Sequence, residues 1–345
     1  MSYHLKSKDM KKKQLVLVSG ANGHLGNNLV RLLIKKGFQV RASVRNINNN
    51  ECFKGLDCEV VQADITHKAS FVRALQGVDT FYAVGAAFKL WAKDPKKEIY
   101  DVNMLGTRYT IEAAATAGVK KIVYVSSIAA LDYTNLPTKE SNGYNSDRRD
   151  MYYNSKNDGE QLAFKLAKEL GIELVSVMPG AMIGSEAFLP LSVSYGVLKL
   201  ILNKQIPMDT KITLNWVDVK DVAEGCYLAA QKGRSGERYI LANETCMTIT
   251  ETTKLAQELY PKLKLKVPGS VPKFVLYVIA SIMEFSAKLN GKPPVLTRKD
   301  IAMFSGLQQD FDISKSRKEL GFNPKNGRQA VKEAFDYLIE HKNLL

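Results

Sequence analysis

The chain has 345 residues, 45% hydrophobic and 24% charged, which suits a globular protein with a sizeable core and excludes a disordered or collagen-like chain. Its 49 Lys and Arg against 35 Asp and Glu give a formal charge of +14. No nucleic-acid motif accompanies that charge, so we read it as solvated surface and expect no nucleic-acid partner. Four cysteines (Cys52, Cys58, Cys226, Cys246) form no C-x-x-C pair and the four histidines no metal pair, which argues against a metal site and a disulfide framework and for a reducing, cytoplasmic setting.

Residues 1–13 form a basic leader containing Lys6, Lys8, Lys11, Lys12 and Lys13. No apolar region follows it, so a signal peptide is not expected. Over 14–180, β-branched runs recur at 14–18, 39–44, 58–63, 79–84, 121–126 and 173–178. Segments of helical period separate them, such as Leu25, Leu29, Leu32 and Leu33, and the alanine-rich 106–118 closed by Gly118. This alternation predicts an α/β fold with a doubly wound parallel sheet. Beyond residue 180 long apolar helices dominate. We expect 181–345 to be a smaller, mainly helical substrate lobe, with segments around 212–242 returning to the sheet. The helix over 274–289 is apolar, too short to span a bilayer and interrupted by Glu284. It reads as buried or groove-forming, with weak membrane-surface contact the alternative.

Gly20, Gly23 and Gly26 stand between the first strand and the first helix. In a Rossmann-type unit such glycines permit the turn, admit a pyrophosphate to the backbone and let helix and strand pack closely, while the helix N-terminus faces the phosphates. The expected cofactor-binding residues here are Gly20, Asn22, Gly23, His24, Leu25 and Gly26, with His24 a phosphate neighbour or solvent-facing. The second strand ends in "VRASVRN", with Arg41, Ser43 and Arg45 and no acid. An arginine there suits the 2′-phosphate of NADP, whereas an acid would suit NAD, so NADP(H) is the expected cofactor, with NAD(H) the alternative. Asp64, followed by Ile65, is read as an acceptor for the adenine amino group, as a helix N-cap, or as both.

Tyr152 and Lys156 lie four apart on an apparent helix and so share a face. An ammonium beside a phenol favours phenolate, giving a proton donor and acceptor for carbonyl chemistry. Tyr153 is the alternative phenol. Ser126 and Ser127, at the carboxyl end of a strand, supply a hydroxyl for a substrate oxygen.

Together, Gly20-Ala-Asn-Gly23-His-Leu-Gly26, Ser126-Ser127 and Tyr152-x-x-Ser155-Lys156 resemble the extended short-chain dehydrogenase/reductase superfamily, also described as NAD-dependent epimerases/dehydratases. Within it the chain is similar to the dihydroflavonol-4-reductase and 3β-hydroxysteroid dehydrogenase-like branch, through "FKLWAKDP", "YDVNMLGTRYTIEAA", "GVKKIVYVSSIAAL", "NWVDVKDVAEG", "GERYILAN" and "FDISKSRKELGFNPK". The resemblance implies catalytic roles for Ser127, Tyr152 and Lys156, with Lys156 also binding nicotinamide ribose. It implies cofactor contacts at Val84, Gly85, Ala86, Asn103, Pro179, Ala181 and Met182, and a monomer or homodimer. Ala83, Val125, Met151 and Met178 depart from residues frequent in the branch; none removes a catalytic group.

Phe88, Leu90, Trp91, Ile128, Met182 and Phe188 could wall a pocket for a bulky apolar ketone or secondary alcohol, flavonoid-, steroid- or lipid β-keto-like; Phe88, Trp91, Ile128 and Phe188 are the substrate candidates. Two other functions stay open. One is a nucleotide-sugar epimerase or dehydratase with tightly held NAD, for which Lys199, Lys204 and Lys211 could serve. The other is a non-catalytic NADPH-binding regulator, against which the retained Tyr152 and Lys156 count.

Overall fold

The structure, a computed structural model, describes residues 13–88, 92–186, 193–206, 208–290, 294, 296–341 and 343. The basic leader up to residue 12, together with Leu90, Trp91 and Phe188, lies outside the described residues.

Nine strands and ten helices build the sheet, its flanking layers and the second core. The strands are β1 (Leu15–Ser19), β2 (Gln39–Val44), β3 (Cys58–Gln62), β4 (Thr80–Ala83), β5 (Lys121–Val125), β6 (Glu173–Pro179), β7 (Ala181–Ile183), β8 (Trp216–Asp218) and β9 (Arg238–Leu241). The helices are α1 (His24–Lys35), α2 (Lys68–Ala74), α3 (Val102–Thr116), α4 (Met151–Glu169), α5 (Val193–Leu202), α6 (Val219–Lys232), α7 (Ile249–Leu259), α8 (Lys273–Asn290), α9 (Arg298–Phe304) and α10 (Gly327–Glu340).

Seven strands form one sheet in the order β9-β6-β5-β4-β1-β2-β3, and every pairing is parallel. Alternation along β1 divides the core. Val16 and Val18 face α1 and α6 through Leu25, Leu29, Leu33, Val222 and Cys226. Leu17 faces the opposite layer, where Phe71, Ile111 and Ala163 come from α2, α3 and α4. Each βα crossover therefore buries an apolar helix face on an apolar sheet, the strongest term holding the layers together. The chain order reverses between β1 and β4, so their carboxyl ends open a crevice.

Beyond residue 180 a separate core gathers Tyr195, Leu198, Trp216, Leu255 and Phe335 from α5, β8, α7 and α10. The short parallel pair β7–β8 joins it to the sheet, and β9 returns to pair with β6.

Helix α8 differs from its expected buried setting. Leu276 and Ala280 pack with Ile301 of α9, but Phe274, Val278, Ile282, Phe285 and Leu289 are 56–75% exposed. The helix carries apolar residues on two faces, and only one of them finds a partner among the described residues. No described helix is long and apolar enough to cross a membrane.

Candidate active site

The glycine loop is fixed by backbone proximity. Gly20 has φ +60°, and a Cβ there would lie 2.8 Å from the Gly85 Cα. At Gly26 a Cβ would lie 2.2 Å from the Gly20 carbonyl oxygen, so α1 can approach the turn only without a side chain. Gly23 N-caps α1 with no side-chain hydrogen bond, and the first turn holds no acid. The positive end of the helix is left with unpaired N–H groups.

Ser19, at the end of β1, extends the turn sideways. Its hydroxyl accepts from Val84 N and Gly85 N, both at 3.1 Å. Asn103 on α3 clamps the same segment: its Oδ1 accepts from Ala87 N at 2.7 Å and its Nδ2 donates to Ala87 O and to Ser155 Oγ, each at 2.9 Å. One buried amide thus ties the strand-end peptides to α4. A narrow cavity between the ends of β1, β4 and β5 and helices α3 and α4 is lined by Ser19, Gly85, Asn103, Thr107, Ser155 and Lys156.

The two arginines of β2 part company. Arg41 is spent on the fold, donating to Glu59 at 2.7 Å and to the carbonyls of Ala74 and Gln76. Arg45 is exposed, and its guanidinium makes no hydrogen bond or ion pair among the described residues. Asp64 is engaged locally: its Oδ1 accepts from Thr66 N and Thr66 Oγ1. Partial burial opposes ionisation, yet these bonds, with Arg45 and His67 nearby, hold its carboxyl below the usual range. The N-cap position of α2 belongs to His67, not Asp64. Ile65 packs under α3, where a Cβ on Gly106 would come within 2.9 Å of it.

His24 corrects the expectation of a phosphate-facing or solvent-facing ring. Its imidazole is buried 5.6 Å from the Tyr195 ring, and burial lowers its pKa to about 4 against contributions from the Ser185 backbone, Asp218 and the Gly184 backbone. It is neutral at pH 7.

The catalytic candidates meet at the carboxyl end of β5. Asp150 N-caps α4, accepting from Tyr152 N at 2.9 Å and Tyr153 N at 3.1 Å, a cap that contributes about 1 kcal/mol. The Ser127 side chain acts on the Tyr152 phenol, lowering its pKa against the effect of burial. Ser127 is itself fixed as the N-cap of a short turn, accepting from Ala129 N at 3.1 Å. Lys156 Nζ donates to Val125 O at 3.2 Å and sits 5.9 Å from the Tyr152 ring centroid. Tyr153 turns away to Phe304 of α9, at 5.6 Å between centroids.

The electrostatics differ from the simple ammonium–phenol pair expected. Burial, partly offset by the nearby Ser127 side chain and reinforced by Asp150, raises Tyr152 to about 12. Burial lowers Lys156 to about 8, with Glu160 one turn on opposing the shift. Both groups are desolvated, and desolvation is the largest cause of each shift. Glu160 is fully buried and bonded to Arg238 at 2.7 Å and to Ser176. Arg238 also reaches Ala130 O at 3.5 Å, in the turn that Ser127 caps.

Of the apolar candidates, Phe88 is half exposed and lies 4.2 Å from the Tyr152 ring, beside the phenol. Ile128 is buried with Met178, Ile240 and Phe311, so it is core and not pocket wall. Met182 is half-buried against the α1–α6 core, and Ala181 is held by its N–H to Asn215 O at 2.9 Å; Pro179 ends β6. The sequence reading missed Ser19, Asp150 and the Glu160–Arg238 pair. A capping rule could have found Asp150; Glu160 and Arg238 are 78 residues apart and carry no local signal.

Ser43 and Ser126 each hold a buried hydroxyl without a hydrogen-bond partner among the described residues, at the carboxyl ends of β2 and β5. With α1 lacking a side-chain cap and the side-chain-free cradle at Gly20 and Gly85, the residues present fit a dinucleotide lying across the crevice.

Residues 16–242 match the family described as NAD dependent epimerase/dehydratase. A Synechocystis sp. protein provisionally named a dihydroflavonol 4-reductase is 30% identical over 94% of each chain. Sterol demethylase protein B of Methylococcus capsulatus is 29% identical over 94% of this chain and 98% of its own. The crystal structure of gox2253 superposes with a TM-score of 0.80 at 29% identity, covering 96% of this chain and all (100%) of that one. Yeast methylglyoxal/isovaleraldehyde reductase Gre2, complexed with NADPH, shares the fold at 20% identity and a TM-score of 0.75, covering 96% of this chain and 100% of its own. The chain belongs to the NAD-dependent epimerase/dehydratase family, the extended short-chain dehydrogenases/reductases, and is an oxidoreductase-type enzyme of that NAD(P)-binding family.

Proposed function

We propose that this enzyme is an NADP(H)-dependent reductase or dehydrogenase acting on a bulky apolar ketone or secondary alcohol, with Tyr152 as the proton donor and acceptor. The meeting of Ser127, Tyr152 and Lys156 at the carboxyl end of β5, with Lys156 Nζ 5.9 Å from the Tyr152 ring and bonded to Val125 O, carries this reading. The glycine loop with the α1 N-terminus would hold the pyrophosphate, and Arg45 a 2′-phosphate, since no acid ends β2 and Arg41 is engaged elsewhere. Lys156 would hold ribose hydroxyls. Gly85, Asn103, Pro179, Ala181 and Met182 would line the cofactor. When bound, the dinucleotide supplies or takes the hydride.

The chain's own groups handle the oxygen. Ser127 donates a hydrogen bond to the substrate carbonyl. Tyr152, protonated at neutral pH because burial holds it near 12, delivers its proton to that oxygen as hydride reaches the carbon. In the reverse direction Tyr152 must first lose its proton, and positive charge on Lys156 assists that loss. Phe88 against the phenol makes the substrate side apolar. The relatives named for flavonoid and sterol chemistry support the same substrate class. We read residues 181–345 as mainly the substrate side.

The test pairs titration with turnover. Wild type and Tyr152→Phe are titrated with NADPH and with NADH, then assayed on ketones and secondary alcohols of graded size. Equal NADPH affinity with turnover lower by about 10²–10⁴-fold is the expected result. Retained turnover in the variant would remove Tyr152 from the mechanism; tighter binding of NADH than NADPH would overturn the cofactor choice.

A further inference from the structure

Helix α8 presents Phe274, Val278, Ile282, Phe285 and Leu289 to the outside, each 56–75% exposed. Their spacing of 4, 4, 3 and 4 keeps them on one face. The stripe is about 22 Å long at 1.5 Å per residue. Few soluble monomers leave so continuous an apolar surface uncovered.

The sequence around it is mostly basic. Residues 259–299 contain Lys262, Lys264, Lys266, Lys273, Lys288, Lys292, Arg298 and Lys299 against one carboxylate, Glu284. That excess is half of the whole chain's +14. Glu284 is paired with Arg298 at 2.8 Å, so it presents no free negative charge. Lys262, Lys264, Lys266 and Lys273 are exposed. A second copy of the chain would bring the same positive charge to the contact, and a stripe one helix wide is narrow beside the roughly 800 Å² per partner of a stable interface. An apolar face flanked by lysines on a helix too short to span is the pattern of a segment lying in the headgroup region of an anionic bilayer.

We propose that α8 docks this enzyme on an anionic phospholipid surface. The contact lies one element from the catalytic helix. Helix α8 packs on α9, Phe304 of α9 packs on Tyr153, and Lys299 of α9 bonds at 2.8 Å to Asp150, the N-cap of α4.

The test is flotation of the full-length protein with vesicles of 70:30 phosphatidylcholine:phosphatidylserine and with pure phosphatidylcholine, comparing wild type with Ile282→Asn/Phe285→Ser. Wild type should float with the anionic vesicles at least tenfold more than with the neutral ones. The double variant should lose at least tenfold of that binding while keeping its thermal transition and its affinity for NADPH. Wild type left at the bottom of the gradient at low salt would overturn the proposal. So would equal flotation of the variant, or a wild-type dimer by light scattering that the variant converts to monomer, which would make a second copy the occupant. None of these readouts needs turnover, so the proposal fails or stands apart from the reductase reading.

Discussion

Helices α4 and α8 are almost equal in length, 19 and 18 residues, and break the amphipathic rule in opposite senses. On α4 the polar residues Asn154, Ser155, Lys156, Asn157 and Glu160 are all buried, around the helix and not on one face alone. On α8 the outward face carries phenylalanine, isoleucine and leucine. A cluster of buried polar groups costs stability unless each group is partnered, and an exposed apolar stripe forgoes burial that folding could have used. The two departures mark the two places where the chain meets something other than itself: the reacting molecules at α4 and, in our proposal, a lipid surface at α8. They differ in what a substitution should do, and that difference can be measured.

The largest effect belongs to Glu160. It is fully buried and balances Arg238, whose guanidinium is also buried and reaches the backbone of residues 130 and 143. Glu160→Gln leaves a buried guanidinium without its counter-charge and should destabilise the protein by about 3–5 kcal/mol. Urea unfolding would show this as a lower midpoint at unchanged slope. A loss below about 1 kcal/mol would mean that water reaches the pair and that α4 is less dry than its burial implies.

Lys156 should respond with stability and activity moving in opposite directions. Its pKa is lowered by burial from 10.5 to about 8, so the folded state disfavours the charged amine. Below pH 8 both folded and unfolded chains carry the proton, and the cost is fully present. As pH rises from 8 towards 10.5 the folded protein releases the proton first and the cost fades, so stability from this group increases with pH in that window. Lys156→Met removes the buried charge and the bond to Val125 O. The variant should be about 1–3 kcal/mol more stable than wild type at pH 7, with the gap closing above pH 8, while turnover falls at least about 100-fold. A variant less stable than wild type at pH 7 would show that the carbonyl bond outweighs desolvation.

The same contrast explains which parts of the molecule could be read from the sequence. The sheet was legible because each strand is a short β-branched run and each crossover has its own period: Val16 and Val18 against Leu17 within β1, and Leu25, Leu29 and Leu33 along α1. Gly20 and Gly26 were legible because what they avoid is backbone a few residues away or at the next strand end. The pairing of Tyr152 with Lys156 is local as well, one turn of one helix. What remained hidden depends on long-range partners. Arg41 and Arg45 look alike in sequence, and only the approach of Glu59 and the end of α2 decides that one is structural. Ile128 looks like a pocket residue until Phe311 packs on it from 183 residues away. The lowering of the phenol's pKa was expected from charge spacing alone, and burial, which spacing does not report, reverses it.

Helix α8 was misread for a related reason, and it gives the smallest predicted effect. Its composition says apolar, and apolar is ordinarily read as buried, yet α9 covers one side alone. Leu276 is 2% exposed and Ile282 62%. Truncating a buried leucine to alanine removes transfer energy and leaves a cavity, a loss of about 2–5 kcal/mol in packed cores. Ile282→Ala removes a side chain that water already surrounds, so folding stability in buffer should change by no more than about 0.5 kcal/mol. Adding anionic vesicles should then separate the two proteins. Whatever binds the folded state alone raises its apparent stability by mass action, so wild type should gain a higher unfolding midpoint with vesicles, and Ile282→Ala should gain less. A variant that matches wild type with and without lipid would leave the stripe with no effect on either equilibrium. A variant already destabilised in buffer by 2 kcal/mol or more would mean that Ile282 is covered in solution, and the comparison between the two helices would dissolve, because α8 would then bury both of its apolar faces as an ordinary core helix does.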